Sequence, residues 1–294
     1  MNTVKEPPER VTRFYGSAEY ALDVIANKQI TFVHVSTLND PFDPYFFLET
    51  NFEESRNKLL KYVETHYPRD LGWFKQCVTP QSWTQTIREL KKKLESYREQ
   101  TFIFSTSSEN NYAHPKDSLY MWGHYGNGHR GVAIEFNTIS LTKSALKHHE
   151  AVRGKPLGTD QLWHEIIYSK SFSPITTADY YEFMKQEYEF HTGIITQRVQ
   201  TNLEKYYERM LRVKSDVWKP EREWRLMWSN DETRMKIHRC PIDGDAITTV
   251  YLGYSISVAH KTDFVFETKR KFPQAKILGA KKRHGDFALD FEQL

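Results

Sequence analysis

The chain reads as an α+β protein whose mixed β-sheet is assembled from dispersed strands and interrupted by long helical insertions. Three observations predict this. Short apolar or alternating runs recur along the chain, at 11–15, 29–35, 101–107, 131–136 and 247–252. Steps of three and four residues between apolar positions govern much of the sequence between them. Aromatic residues make up 14% of the 294 residues, which favours a packed core over general disorder. The expected organisation is a single α+β domain over 1–294, with helical insertions at about 53–99 and 138–213.

The elements follow in order. Val11 to Tyr15 predicts a first strand, and Ser17 caps a helix running to about Asn27, with Tyr20, Ala21, Val24 and Ile25 as its apolar face. Gln29 to Val35 predicts a second strand, closed by the turn-rich 36–44. Polar helices are expected over 53–66 and 82–98. Thr101 to Ser107 predicts a strand, 118–126 a short helix, and Gly131 to Phe136 another strand. One long helix is expected over 178–213, from Tyr181, Met184, Tyr188, Thr192, Ile195, Val199, Leu203, Tyr206 and Met210. A strand around Glu221–Arg225, strands near 247–252 and 276–279 with a helix between them, and a last strand near 287–291 complete the reading.

Bulk properties narrow the function classes. A net charge of +3 is too weak by itself to argue for nucleic acid. Cys77 and Cys240 are the two cysteines, far apart and without a Cys-x-x-Cys spacing, so neither a disulfide framework nor a thiolate zinc site is expected. The charged, proline-bearing start has no apolar run of the signal-peptide kind, and no stretch approaches the roughly 20 apolar residues of a membrane span. A soluble, cytoplasmic protein with no membrane partner is the expectation.

Several segments carry chemistry. In Glu221-Arg222-Glu223-Trp224-Arg225, strand alternation would set Glu221, Glu223 and Arg225 on one face, with Arg222, Trp224 and Leu226 on the other. Carboxylates about 7 Å apart beside a guanidinium suit recognition or activation of a sugar hydroxyl, and equally a solvated, salt-bridged strand face. Asn39-Asp40-Pro41-Phe42-Asp43 reads as a rigid turn or a ligand-contacting loop. Ser105-Thr106-Ser107 ends the third strand, where Ser105 or Ser107 would orient a carboxylate on a neighbouring strand. In the segment Tyr120 to Gly131, Met121, Trp122 and Tyr125 would pack inward, while His124, Tyr125 or His129 would also touch a ligand. His114, His124 and His129 match no familiar metal-binding spacing, and no metal is expected. Lys91-Lys92-Lys93 and Lys281-Lys282-Arg283-His284 are basic runs, read as solvated faces or phosphate contacts.

Three of these motifs together resemble a widespread bacterial family of unknown function: Asn39 to Asp43, Met121 to Gly131, and Glu221 to Arg225. That resemblance implies a component of a bacterial defence locus. The chain is also similar to ADP-ribosyltransferases of the Arg–Ser–Glu class, through Arg13 on the first strand, Ser105-Thr106-Ser107, and Glu221-x-Glu223, in that order. This similarity implies an ADP-ribosyltransferase-like sheet and cleavage of the nicotinamide–ribose bond of NAD, with NAD as substrate and ADP-ribose passed to a macromolecular acceptor such as RNA or DNA. Glu223 would stabilise the oxocarbenium-like ribose, Glu221 would orient or deprotonate the acceptor, Ser105 would position Glu223, and Arg13 would bind the phosphates. Tyr125 or Trp122 would stack on nicotinamide. Tyr15, Ser36, Asn39, Asp40, Thr106, Ser107 and His124 complete the expected NAD-contacting set. A toxin-like effector of this kind implies an antitoxin or immunity partner. Two alternatives stand beside it: a nucleic-acid-binding or sensing module without turnover, and a metal-dependent nuclease using Asp40, Asp43 or His124.

Overall fold

The computed structural model describes residues 6–109, 114–153, 162–172, 175–195, 202–229 and 236–294. Where one domain with two insertions is expected, the chain divides into two compact units. The first is Met1–Thr37, Thr101–Ile166 and Val217–Leu294; the second is Leu38–Gln100 and Ile167–Asp216.

In chain order, the first unit contributes β1 (Arg10–Tyr15), α1 (Ala18–Asn27) and β2 (Gln29–His34). The second unit then contributes α2 (Phe52–His66), α3 (Leu71–Cys77) and α4 (Pro80–Glu99). The chain returns to the first unit with β3 (Thr101–Ser108), α5 (Leu119–His124), β4 (Val132–Asn137), α6 (Thr138–Arg153) and β5 (Trp163–Glu165). It crosses again for β6 (Ile167–Ser169), α7 (Thr177–His191), α8 (Asn202–Met210) and β7 (Val213–Ser215). It ends in the first unit with β8 (Glu223–Ser229), β9 (Ile237–Pro241), β10 (Ile247–Leu252), α9 (Val258–Lys271), β11 (Lys276–Lys282) and β12 (Leu289–Gln293). Helix α6 thus belongs to the sheet-bearing unit, and the second insertion starts at Ile167 instead of 138.

Among the described residues, ten strands form one mixed, mostly antiparallel sheet in the first unit. Its path is β12-β11-β10-β4-β1-β3-β2-β9, with β8 on β3 and β5 on β8. Strands far apart in the chain meet in it: β3 runs antiparallel to β8 from Thr101↔Ser229 to Ser107↔Glu223, and to β1 at Thr12↔Ser107. Strand β10 pairs in parallel with β11. The larger core lies on one face, where Val11, Phe32, Phe104, Ile134, Phe136, Trp224, Leu226 and Trp228 pack together. Ser17 caps α1 by accepting from the Tyr20 N–H, as the sequence predicts, but Tyr20 itself is exposed, and Ala18, Ala21, Val24 and Ile25 are the buried set. A smaller cluster lies on the other face, with Phe14, Met121, Trp122, Ala133, Tyr251 and Leu289.

The second unit is helical, with the short parallel pair β6–β7. Its aromatic seam includes Tyr67 stacked on Tyr181 at 4.6 Å and Trp73 stacked on Tyr188 at 4.5 Å. The single helix expected over 178–213 is not continuous. Helix α7 ends at His191, and Gly193, with φ of 73°, takes the left-handed conformation that terminates helices. Val199 lies outside the described residues.

Close backbone approach fixes the glycines beside β1. A Cβ on Gly131 would lie 2.1 Å from the Tyr15 carbonyl oxygen. Gly131→Ala is therefore expected to destabilise the protein by at least about 2 kcal/mol, because backbone must move. Gly72, within α3, has nothing within 4 Å of the same point. Gly72→Ala should stabilise by about 0.5–1 kcal/mol through reduced chain entropy. Urea unfolding midpoints of the two variants, moving in opposite directions, provide the check.

Candidate active site

The candidate site is built on the face of the sheet opposite the larger core. Cross-strand partners point to the same face, and the registers link Thr249↔Glu135, Glu135↔Thr12, Thr12↔Ser107 and Ser107↔Glu223. These five residues, from β10, β4, β1, β3 and β8, form one transverse row, and each is buried. Its two carboxylates are three inter-strand steps apart, about 14 Å.

At the β8 end, Trp224, Leu226 and Trp228 face the larger core, so alternation turns Glu223 and Arg225 to the other side, as the sequence predicts for that pair. Arg225 is fully buried and grips Glu223 in a fork: Nε donates to Oε1 at 2.8 Å and Nη2 to Oε2 at 3.1 Å. Such a bidentate pair fixes the carboxylate plane as well as its position. Ser107 lies directly opposite Glu223, and Ser105 opposite Arg225. Of the two serines, Ser107 is the cross-strand neighbour of Glu223. The Thr106 hydroxyl, on the core side, donates to the Trp224 carbonyl at 2.9 Å.

Glu221 does not share the strand. It ends a 3-10 turn over Asp216–Glu221, and Arg222, with φ of 48°, breaks the alternation before β8 begins. Glu221 is buried, and the Tyr125 hydroxyl donates to its Oε1. The two glutamates are thus held by different partners, Tyr125 and Arg225. Tyr125 acts as a carboxylate donor here, where the sequence suggests a nicotinamide stacker.

Arg13 lies on the wrong face for the expected role. It follows Val11 on the core side of β1, places its guanidinium over the Phe104 ring at 4.6 Å, and donates from Nη1 to the Ser105 carbonyl at 2.9 Å. Arg10, Thr12 and Phe14 are the β1 residues on the Glu223 side, and Arg10 Nη1 lies 3.4 Å from Glu135 Oε1. Tyr15 shares the Arg13 face; its hydroxyl is buried without a hydrogen-bond partner among the described residues, and burial pushes its pKa up to about 12. Trp122 is fully buried, edge-on to Phe14 at 5.1 Å, with its indole N–H donated to the Lys116 carbonyl at 2.7 Å. It is a core residue, closed to a nicotinamide ring. Ser36 sits in an exposed turn, bonded to His34 Nδ1 at 2.7 Å and Lys236 Nζ at 3.1 Å.

Asn39 and Asp40 belong to the second unit. Asp40 is buried and accepts from the Phe42 N–H at 2.9 Å, and buried Asp43 lies 3.9 Å from buried Lys214. The rigid-turn reading of this motif describes these contacts; Asn39 is exposed. In the first unit, exposed His124 lines a separate cavity of about 640 Å³ with Ser17, Asn127, Arg130 and His260. Among the described residues no three His, Cys, Asp or Glu side chains are placed to hold a metal ion. The basic runs are partly neutralised in place: Lys91 lies 3.8 Å from Glu95, Lys93 3.0 Å from Glu187, and Arg283 2.9 Å from Asp290, while Lys281 bonds Glu292.

Sequence reasoning missed Glu135, and weighed His114 only as a metal ligand, not as its partner. Glu135 is buried in β4 and collects Thr248 Oγ1 at 2.5 Å, Thr249 Oγ1 at 3.1 Å, the Tyr251 hydroxyl at 3.1 Å and His114 Nε2 at 2.8 Å. An irregularity between Ile247 and Thr249 lets both threonine hydroxyls reach one carboxylate. His114 Nδ1 accepts from the Lys116 N–H, so Nε2 carries the proton and donates. Burial works to raise the Glu135 pKa, but the His114 and threonine hydrogen bonds outweigh it and push it down to about 2. The available signal was a lone carboxylate inside the apolar run Val132-Ala133-Ile134-Glu135-Phe136, which demands buried partners.

Residues 121–226 match a family described as a protein of unknown function (DUF2971). The matched stretch includes Tyr125, Glu135, Glu221, Glu223 and Arg225, and excludes Arg13, Ser107 and the Asn39–Asp43 turn. No curated protein and no solved structure matches the chain.

Because the Glu135 pKa is depressed on folding from an ordinary 4.5 to about 2, its contribution is fully present above pH 4.5 and disappears as pH falls towards 2. Across that window the wild type is expected to lose on the order of 3 kcal/mol more stability than Glu135→Gln. Urea titrations at successive pH values measure this, and parallel acid limbs for the two proteins would refute it.

Proposed function

We propose that the Glu223 end of the buried row cleaves the nicotinamide–ribose bond of NAD and transfers ADP-ribose to a macromolecular acceptor. The observation that carries this reading is the register of Ser107 directly opposite Glu223, both on one face, with Arg225 gripping the same carboxylate. A hydroxyl on one strand, a glutamate on its neighbour and a second glutamate two residues earlier are what transfer from a glycosidic cation needs.

The chemistry balances with these groups. As the C1′–N bond breaks, its electron pair leaves with nicotinamide, whose pyridinium charge is thereby neutralised. Positive charge develops on the ribose. The Glu223 carboxylate, kept in one plane by Arg225, stabilises that charge and holds the 2′-hydroxyl. The acceptor's lone pair then forms the new bond to C1′, and its proton passes to Glu221, which Tyr125 orients. Ser107 takes the positioning role that the sequence assigned to Ser105. Arg13, on the far face, takes no part.

The test is incubation of the full chain with NAD and cell extract as acceptor, following nicotinamide release by chromatography. Wild type should release nicotinamide, Glu223→Gln should be slower by roughly 100-fold or more, and Ser107→Ala by about tenfold or less. No NAD turnover by the wild type with protein, RNA or DNA acceptors, or undiminished turnover by Glu223→Gln, would sink the reading.

A further inference from the structure

The second unit contains a cavity of about 350 Å³ lined by residues of α3, α4 and α7. That volume is at the small end of ligand pockets. One wall is aromatic: Trp73 and Tyr188 stack nearly parallel, 4.5 Å between centroids and 13° between planes, and Phe183 also contributes. The charged lining is acidic. Glu89 from α4 and Glu187 from α7 reach it, and no lysine or arginine does.

The two carboxylates are not equivalent. Glu187 is shared with Lys93 at 3.0 Å and with His191 at 3.7 Å. Glu89 is half-buried and has no ion pair or hydrogen bond among the described residues. A carboxylate in a cavity is costly to leave uncompensated, and aromatic faces carry negative quadrupole potential that favours cations. The same helix pair already receives one ammonium in this manner. Lys93 Nζ sits 4.7 Å above the Phe183 ring while bonded to Glu187.

We propose that this cavity binds a small organic ammonium, held by the Glu89 carboxylate and the aromatic wall of Trp73 and Tyr188. The charge of the lining selects a cation. The apolar rings favour an alkylated ammonium, whose methyl groups lose little hydration on entry, over a strongly hydrated metal ion.

Calorimetric titration of the full chain with choline, and separately with its neutral isostere 3,3-dimethyl-1-butanol, tests the assignment. Choline should bind saturably, and the isostere about tenfold or more weakly. Glu89→Gln, a half-buried substitution that conserves shape, should weaken choline about five- to tenfold and leave the isostere unchanged. Its circular dichroism should match the wild type. Absence of saturable choline binding, equal binding of the neutral isostere, or an unchanged choline affinity in Glu89→Gln would each overturn the proposal.

Discussion

The buried pairing of Glu223 with Arg225 constrains the sheet more than any other contact. Both side chains are buried, at a desolvation cost of several kcal/mol per ion, which the forked geometry helps to offset. Strand β8 has β3 on one side and β5 on the other, so its register is fixed by what each face must accept. A slip of one residue would drive Glu223 and Arg225 into the cluster of Phe102, Phe104 and Trp163, and turn Trp224, Leu226 and Trp228 outward from it. The ion pair therefore contributes specificity of register more than net stability, and that register brings Ser107 opposite Glu223.

The same face holds a second carboxylate solved by different means. Glu223 is met by an opposite charge on its own strand, whereas Glu135 is met by hydroxyls from β10, an imidazole from the segment before α5 and the more distant Arg10 guanidinium. The two arrangements suit different duties. A carboxylate crowded by five donors, including Arg10 at 3.4 Å, has little capacity left for a ligand and serves as an anchor that ties β4, β10 and residues 114–116 together. Glu223 is instead held in plane by the forked guanidinium of Arg225, two residues along its own strand.

What the sequence revealed divides along physical lines. Alternation along Glu223 to Trp228 was readable because one parity is aromatic or aliphatic and the other charged, and the structure keeps Glu223 and Arg225 together. Alternation along Val11 to Tyr15 was not, because both parities carry apolar residues for two different cores; the face of Arg13 depends on which core is larger. Glu221 was misassigned to the strand because nothing in Glu-Arg-Glu announces that Arg222 adopts a positive φ. The long helix over 178–213 failed for a related reason: periodicity persists past Thr192-Gly193, although that glycine supplies the left-handed stop. Glu135 was passed over because propensity treats a strand carboxylate as solvated, and only pairing with β10 and β1 on both sides shows that it cannot be.

The division into two units follows from the same logic of strand faces. Each return from the second unit enters a strand of the candidate site or its neighbour: Gln100 leads into β3, and Asp216 leads through the 3-10 turn to Glu221 and β8. An insertion at a strand's end leaves its alternation untouched, whereas one inside would shift the parity of every later residue. Inserted segments of 63 and 50 residues can thus lie between β2 and β3 and between β5 and β8, at a closure cost that grows only logarithmically with length. Ser107 and Glu223 still meet, because their encounter is encoded within β3 and β8 themselves. The inserted segments are correspondingly free to build an independent core with chemistry of its own, which is why an acidic, aromatic cavity arises in a unit that supplies no member of the buried row.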